Sequence, residues 1–382
     1  MLYNGCMNYV LKLFDLSLIE FSISRASLTN DKYEITRVYE NNKSLLPIGF
    51  ELSNDGLKNW LSSRIAPKNR EYVDSILSRV GLARNDIPGI ILVCKYLSLN
   101  DCYWVDDVDS KLTFDQVNLF DNPFKTIIAR IAFTGYGTST RASFSSSPEF
   151  TTNGMLPKCW RRIKNKIYLY KGGTSGARNT GNEPYSEYYA SKIAERMGLK
   201  HISYKLTKWK GTLCSVCELF TSREVSFVPI YKFVNKNDIN MLIGFFKSLG
   251  EDVYEDFASM MVFDSIIFNT DRHLGNYGLL VDSSTNKIIG FAPIFDNGLS
   301  LFNYGLEDDF ANLDKYSKTR VTTFEGLSFD DLLKMFLGKR QKEEVKKLIN
   351  FKLPRSGQYK MDEYRLKGLD TFIQKRINKF LK

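Results

Sequence analysis

Apolar residues recur at helical spacing in GLKNWLSSRI (56–65) and REYVDSILSRVGL (70–82), the second stretch ending at Gly81. Both predict amphipathic helices, whereas KYLSLNDCYWV (95–105) reads as strand and turn. The pattern breaks at TGYGTSTRASFSSSPEFTTNG (134–154), a Ser-, Thr- and Gly-rich boundary. WRRIKNKIYLYKGG (160–173) then predicts a hairpin, with a basic strand, an Asn165-Lys166 turn and IYLYK in strand alternation. A glycine-rich loop, GGTSGARNTGNE, leads into PYSEYYASKIAERMGL (184–199), a helix opened by Pro184 and closed at Gly198. Strands follow around 213–220 and 225–233. The remainder is mostly helical, including FASMMVFDSIIFN (257–269) and basic C-terminal helices. This order predicts an α+β chain with a partly helical N-terminal module at 1–140, a strand-rich lobe at 141–230 and a helical lobe at 231–382.

Composition narrows the setting. A hydrophobic content of 43% in 382 residues is enough for a sizeable core and argues against dominant disorder. The net charge of +10 suits anionic partners, nucleotides and nucleic acids among them, but a lysine-rich solvated surface explains it equally well. Six scattered cysteines predict reduced thiols in a cytoplasm. Cys214-Ser-Val-Cys217 is a single CxxC, and with only His201 and His273 in the chain it reads as buried thiols rather than a zinc site. The N-terminal apolar stretch is interrupted by Lys12, Asp15 and Glu20, so neither a signal peptide nor a membrane span is expected.

The chemistry concentrates beyond residue 150. Phosphoryl transfer needs a lysine on the phosphates, oxygen ligands for magnesium and an aspartate facing the attacking hydroxyl. NTDRHLGNYG (269–278) supplies Asp271 and, five residues on, Asn276. GLLVDSSTNKIIGFAPIFDNGLSL (278–301) predicts two strands leading to Asp296, where the following Asn297-Gly298 is expected to let the backbone turn away. Lys171 closes the IYLYK strand and Glu187 stands on the next helix as its ion-pair partner. Each residue alone has a structural explanation: an Asx-turn at Asp271, a solvated strand end at Lys171, a turn cap at Asp296, a helix-dipole partner at Glu187. Their order along the chain favours the chemical reading. Arg272 and His273 read as braces of the loop.

NTDRHLGNYGLLVD, APIFDNGLSL and NEPYSEYYASKIAERMGL resemble the kinase region of the HipA-like serine/threonine kinases, over about 145–330 and on towards the C-terminus. The resemblance implies a bilobal protein-kinase-like fold and ATP- and Mg2+-dependent transfer to Ser or Thr of a protein substrate. It implies Asp271 as the catalytic aspartate, Asn276 and Asp296 as magnesium ligands, Lys171 as the phosphate lysine and Glu187 as its partner. Backbone groups near Glu218–Phe220 would read adenine. TTNGMLPKCW (151–160) resembles the family's phosphate loop, with Gly154 and Lys158 in the expected places. Some members autophosphorylate a serine entering that loop; here Thr151 and Thr152 stand there, with serines at 143 and 145–147 upstream. Residues 1–140 do not match the N-terminal part of the toxin kinases, so a DNA-binding antitoxin partner does not carry over with the kinase motifs.

Two other readings stay open on sequence. Lipid kinases share a DRHxxN-like loop, but they usually continue Asp-Phe-Gly where this chain has Phe295-Asp296-Asn297-Gly298 after Pro293. Aminoglycoside kinases usually carry histidine before the catalytic aspartate, where this chain has Thr270. An inert kinase-like module that binds nucleic acid or protein would use the net charge and the basic C-terminal string KGLDTFIQKRINKFLK.

Overall fold

The computed structural model describes residues 7–27, 30–83, 86–136 and 146–381. The chain divides into two compact units. One holds residues 1–169, 221–228 and 281–288; the other holds 170–220, 229–280 and 289–382.

The first unit opens with strands, not helices. β1 (Met7–Leu13), β2 (Leu16–Ser27) and β3 (Asn30–Val38) join β4 (Tyr103–Asp107) in the order β3-β2-β1-β4. β1 pairs antiparallel with both β2 and β4. The chain reverses between β1 and β2 at Phe14, which takes a left-handed backbone (φ 49°). The partly helical module expected here therefore carries a sheet as well. Its signal was the run IEFSIS (19–24), which alternates apolar and polar positions as a strand does; Leu18, Ile19, Phe21 and Ile23 are all buried. The helices Asn54–Ser63 and Val73–Arg79 cover most of the expected 56–82 stretch, with a break at 64–72. The hydroxyl of Ser53 caps the first by accepting from Gly56 N at 2.9 Å. The helix Ile87–Cys94 follows, capped by Asp86.

β5 (Lys158–Ile163) and β6 (Lys166–Gly172) form the expected hairpin, with the turn at Lys164-Asn165, one residue earlier than the sequence suggested. A two-residue connection needs positive φ, and Lys164 supplies it at 55°. Two later segments return to this unit. Phe227 N donates to Asn100 O at 2.8 Å, and Asn286 Nδ2 donates to Leu46 O at 3.0 Å.

In the second unit β6 neighbours β8 (Thr212–Glu218), which pairs antiparallel with β7 (Tyr204–Trp209). The helix Glu183–Met197 begins with Pro184 in its first turn and ends at Gly198 with φ 83°, as the sequence indicated. β9 (Val225–Pro229), β10 (Gly278–Asp282) and β11 (Ile288–Phe291) form a three-stranded sheet ordered β11-β10-β9. The helix Glu251–Ile267 starts six residues before the predicted 257 and is buried from Asp256 onward. Phe257, Met260, Met261 and Phe263 have no exposed surface. A helix apolar on all sides belongs inside a core, and here it is the centre of one. The C-terminal helix Glu363–Leu381 packs Leu366, Leu369 and Phe372 into the same core. Among the described residues no helix is long and apolar enough to cross a membrane.

Candidate active site

Lys171 lies near the end of β6 and is buried. Its Nζ donates to Glu187 Oε1 and, at 2.6 Å, to Asp296 Oδ1. Glu187 reaches it from the second turn of the helix Glu183–Met197, and its other oxygen accepts from Asn297 N at 2.8 Å. Strand end, helix and post-β11 loop thus meet at one ammonium group. Burial alone would lower the Lys171 pKa, but the Asp296 and Glu187 carboxylates more than reverse this and the group is held above its usual range. Burial pushes the Glu187 carboxyl up against the opposing pull of Lys171.

The backbone turn after β11 is made by Asp296 itself, at φ 56°. This corrects the expectation that Gly298 permits it. A Cβ on Gly298 would meet Glu183 at an ordinary 3.5 Å, so no glycine is required there. Asp296 N is 3.4 Å from the buried Tyr204 hydroxyl.

The loop after the buried helix is tied closely. Thr270 N donates to Leu299 O at 3.1 Å, and Asn276 Nδ2 donates to Asp271 O at 2.8 Å and to Asp271 Oδ2 at 3.4 Å. Asn276 thereby spends its amide hydrogens on Asp271, and its remaining group is a neutral oxygen. Burial, with Asp296 adding to it, raises the half-buried Asp271 pKa, while His273 opposes the rise. The exposed His273 accepts from Gly275 N through Nδ1 at 3.0 Å, which closes the loop locally.

Arg272 does more than brace this loop. Its buried guanidinium forms a fork with Asp264 at 2.7 and 2.9 Å. It also donates to Asn276 O at 2.8 Å, Phe295 O at 2.6 Å and Asn297 Oδ1 at 2.6 Å. One side chain therefore joins the 271–276 loop to the 295–297 loop. Burial would lower its pKa, but Asp264 outweighs burial and raises it. Asp264 was not singled out in the sequence. Its signal was a lone carboxylate inside FASMMVFDSIIFN, a charge that an apolar helix can bury only with a partner.

The structure brings Lys171, Glu187, Asp271, Asn276 and Asp296 into this one network. Phe220 joins its edge through a ring contact with Phe295, centroids 5.5 Å apart. Glu218 is exposed at the end of β8, in which Cys214 and Cys217 are buried thiols outside any disulfide. Among the described residues no group of three or more His, Cys, Asp or Glu side chains could hold a metal. Asp296 and Asn276 offer hard oxygen donors of the kind magnesium accepts alongside phosphate and water.

Gly154 and Lys158 belong to the first unit and touch each other. Gly154 has φ 93°, and a side chain there would strike the Lys158 amine. Lys158 is buried. Thr151 Oγ1 donates to Leu97 O at 2.7 Å and Thr152 Oγ1 to Pro148 O at 2.6 Å. Ser146 donates to Cys94 O at 3.2 Å and Ser147 to Glu149, while Ser143 and Ser145 lie outside the described residues.

No family model matches the chain. In sequence it is 30% identical over 156 residues to the serine/threonine-protein kinase CtkA of Helicobacter pylori, a match over 36% of this chain and 48% of that protein. The chain thus spans about half the length of this curated relative. The crystal structure of the Helicobacter pylori proinflammatory kinase CtkA aligns with 59% of this chain and 91% of its own, at 22% identity and a TM-score of 0.44. HipA of Shewanella oneidensis MR-1, solved with HipB and its operator DNA, aligns over 98% of this chain and 97% of its own, at 12% identity and a TM-score of 0.51. The chain shares its fold with HipA, and in sequence it is similar to the kinase CtkA over about a third of its length.

Proposed function

We propose that the chain is an ATP- and Mg2+-dependent kinase that transfers the γ-phosphoryl group to Ser or Thr of a protein. The observation that carries this reading is the link from Lys171 to Glu187 and Asp296, with Asp271 and Asn276 tied to the same loops through Arg272. Lys171 would lie on the nucleotide phosphates, held by Glu187 in the geometry the pair already shows. Glu218 and Phe220 would flank adenine, and Gly154 and Lys158 would offer a loop to the phosphates. Magnesium, held by Asn276 and Asp296, would offset charge on the phosphates.

In the transfer itself the acceptor hydroxyl oxygen bonds to the γ-phosphorus as the bond to the bridging β,γ-oxygen breaks. ADP leaves with that electron pair, and the hydroxyl proton passes to the Asp271 carboxylate. The proposal places 141–230 and 231–382 as the two kinase lobes, acting in the cytoplasm. It includes a regulatory protein partner, since the HipA chain of the same fold was solved with HipB.

The test is labelling of cytoplasmic extract by the purified protein with γ-labelled ATP and magnesium, beside Asp271→Ala. The variant should lose transfer by about a thousandfold or more and still bind ATP. Label on Ser or Thr that the variant lacks supports the reading. ATP turnover with no protein labelled would move the acceptor to a small molecule or lipid, and an Asp271→Ala rate equal to the wild type would sink the assignment.

A further inference from the structure

Arg70 lies between the helices Asn54–Ser63 and Val73–Arg79 and is only 2% exposed. A buried guanidinium normally meets a carboxylate, yet this one donates to main-chain oxygens. One nitrogen serves Glu149 O and, at 3.1 Å, Thr152 O; the other serves Lys158 O at 3.1 Å. The neighbouring Glu149 carboxylate is engaged elsewhere, by the Ser147 hydroxyl and by Trp160 N at 2.9 Å. Burial lowers the Arg70 pKa to about 10, with Glu149 opposing, so the group stays charged at neutral pH. The three acceptors sit on both limbs of one loop: Glu149 and Thr152 on the way in, Lys158 on the way out. Around Arg70 the same segment adds two backbone clamps, Ala66 N to Phe150 O at 2.8 Å and Glu71 N to Met155 O at 2.9 Å.

The planar fork reaches three carbonyls from two nitrogens held apart at a fixed angle, whereas an ammonium gathers its three donors on one nitrogen at the end of a flexible stem. A cation left to backbone dipoles in the interior is a costly way to fill space, and its geometric effect is to fix the loop that carries Gly154 and Lys158. We infer that Arg70 is a positioning residue for nucleotide binding, holding the 151–158 loop in the shape that receives phosphates. Residues 64–73 of the N-terminal unit are then part of the nucleotide machinery rather than a separate adaptor. The inference rests on the reading of 151–158 as the phosphate loop.

The experiment compares wild type and Arg70→Lys by ATP titration, by steady-state kinetics and by hydrogen exchange of the 149–160 amides. Arg70→Lys keeps the charge and loses the fork. The expected result is an ATP KM raised about tenfold, a kcat that falls by less than KM rises, and faster exchange confined to 149–160. Wild-type binding of ATP with unchanged KM and unchanged exchange in Arg70→Lys would overturn the inference and leave the kinase reading intact. Failure of the wild type to bind ATP would overturn the kinase reading itself, and the inference with it. Should Arg70→Lys not fold, wild-type exchange decides: ATP must slow the 152–158 amides, and no change there overturns the proposal.

Discussion

Two buried arginines hold two loops in this molecule, and they do it by opposite means. Arg272 sits in a fork with Asp264 and carries backbone and side-chain acceptors on its other edges. Arg70 holds its loop through carbonyl dipoles. The electrostatic outcome differs accordingly. Burial lowers both, but Asp264 turns the shift upward at Arg272, while Arg70 falls to about 10. A charge-paired hub resists loss of its proton and depends heavily on its partner. A dipole-held staple depends on geometry, and the buried Glu149 carboxylate that feels its charge keeps its own hydrogen bonds from Ser147 and Trp160 N if the staple is removed.

The largest expected effect separates these two designs. Arg272→Met strands Asp264 in the core and should cost about 3–5 kcal/mol of stability, while Asp264→Leu added to it should recover a good part of that. Arg70→Met should cost less, about 1–3 kcal/mol for carbonyls left unpaired. Urea unfolding of the three variants checks the ranking, and equal losses in Arg272→Met and Arg70→Met would erase the distinction.

A smaller effect concerns the site that Arg272 organises. Asp296→Ala should weaken magnesium-dependent ATP binding on the order of 100-fold while leaving the metal-free affinity much less changed. Calorimetry with and without magnesium reads both, and a variant affinity in magnesium equal to the wild type's would remove Asp296 from the metal.

The smallest effect is in pH. Burial raises the Asp271 pKa, so as pH falls the carboxylate is protonated above the usual Asp range of about 3.9, and the base form is lost. The acid limb of kcat should therefore lie higher than an exposed aspartate would give, and Asp271→Asn should abolish the activity that shows it. A rate independent of pH down to the ordinary Asp range would show that Asp271 does not titrate as proposed.

Much of the candidate site could be read from short patterns. Lys171 falls at the end of an alternating strand, Glu187 in the second turn of a helix marked by Pro184 and Gly198, and Asp296 after two apolar strands. Those features depend on neighbours a few residues away, and the residues that make the turns and caps are present in the string. The exception at Asp296 is instructive. Glycine is the usual bearer of positive φ, so Gly298 drew the expectation, but Asp296 takes the left-handed conformation, next to Asn297 whose N donates to Glu187.

The sequence alone determined the order of chemical residues, the helix 183–197 and the strands that present them, because periodicity and capping are local. Tertiary structure decided the sheet of β1–β4, whose last strand comes 64 residues after β3 and pairs with β1 in a register that no local pattern states. It also decided the partners of the buried charges. Arg70 meets carbonyls 79 to 88 residues away, and Lys171 meets Asp296 at a separation of 125. A charge in a core must find compensation wherever the fold brings it, and that distance in sequence is invisible until the chain has closed.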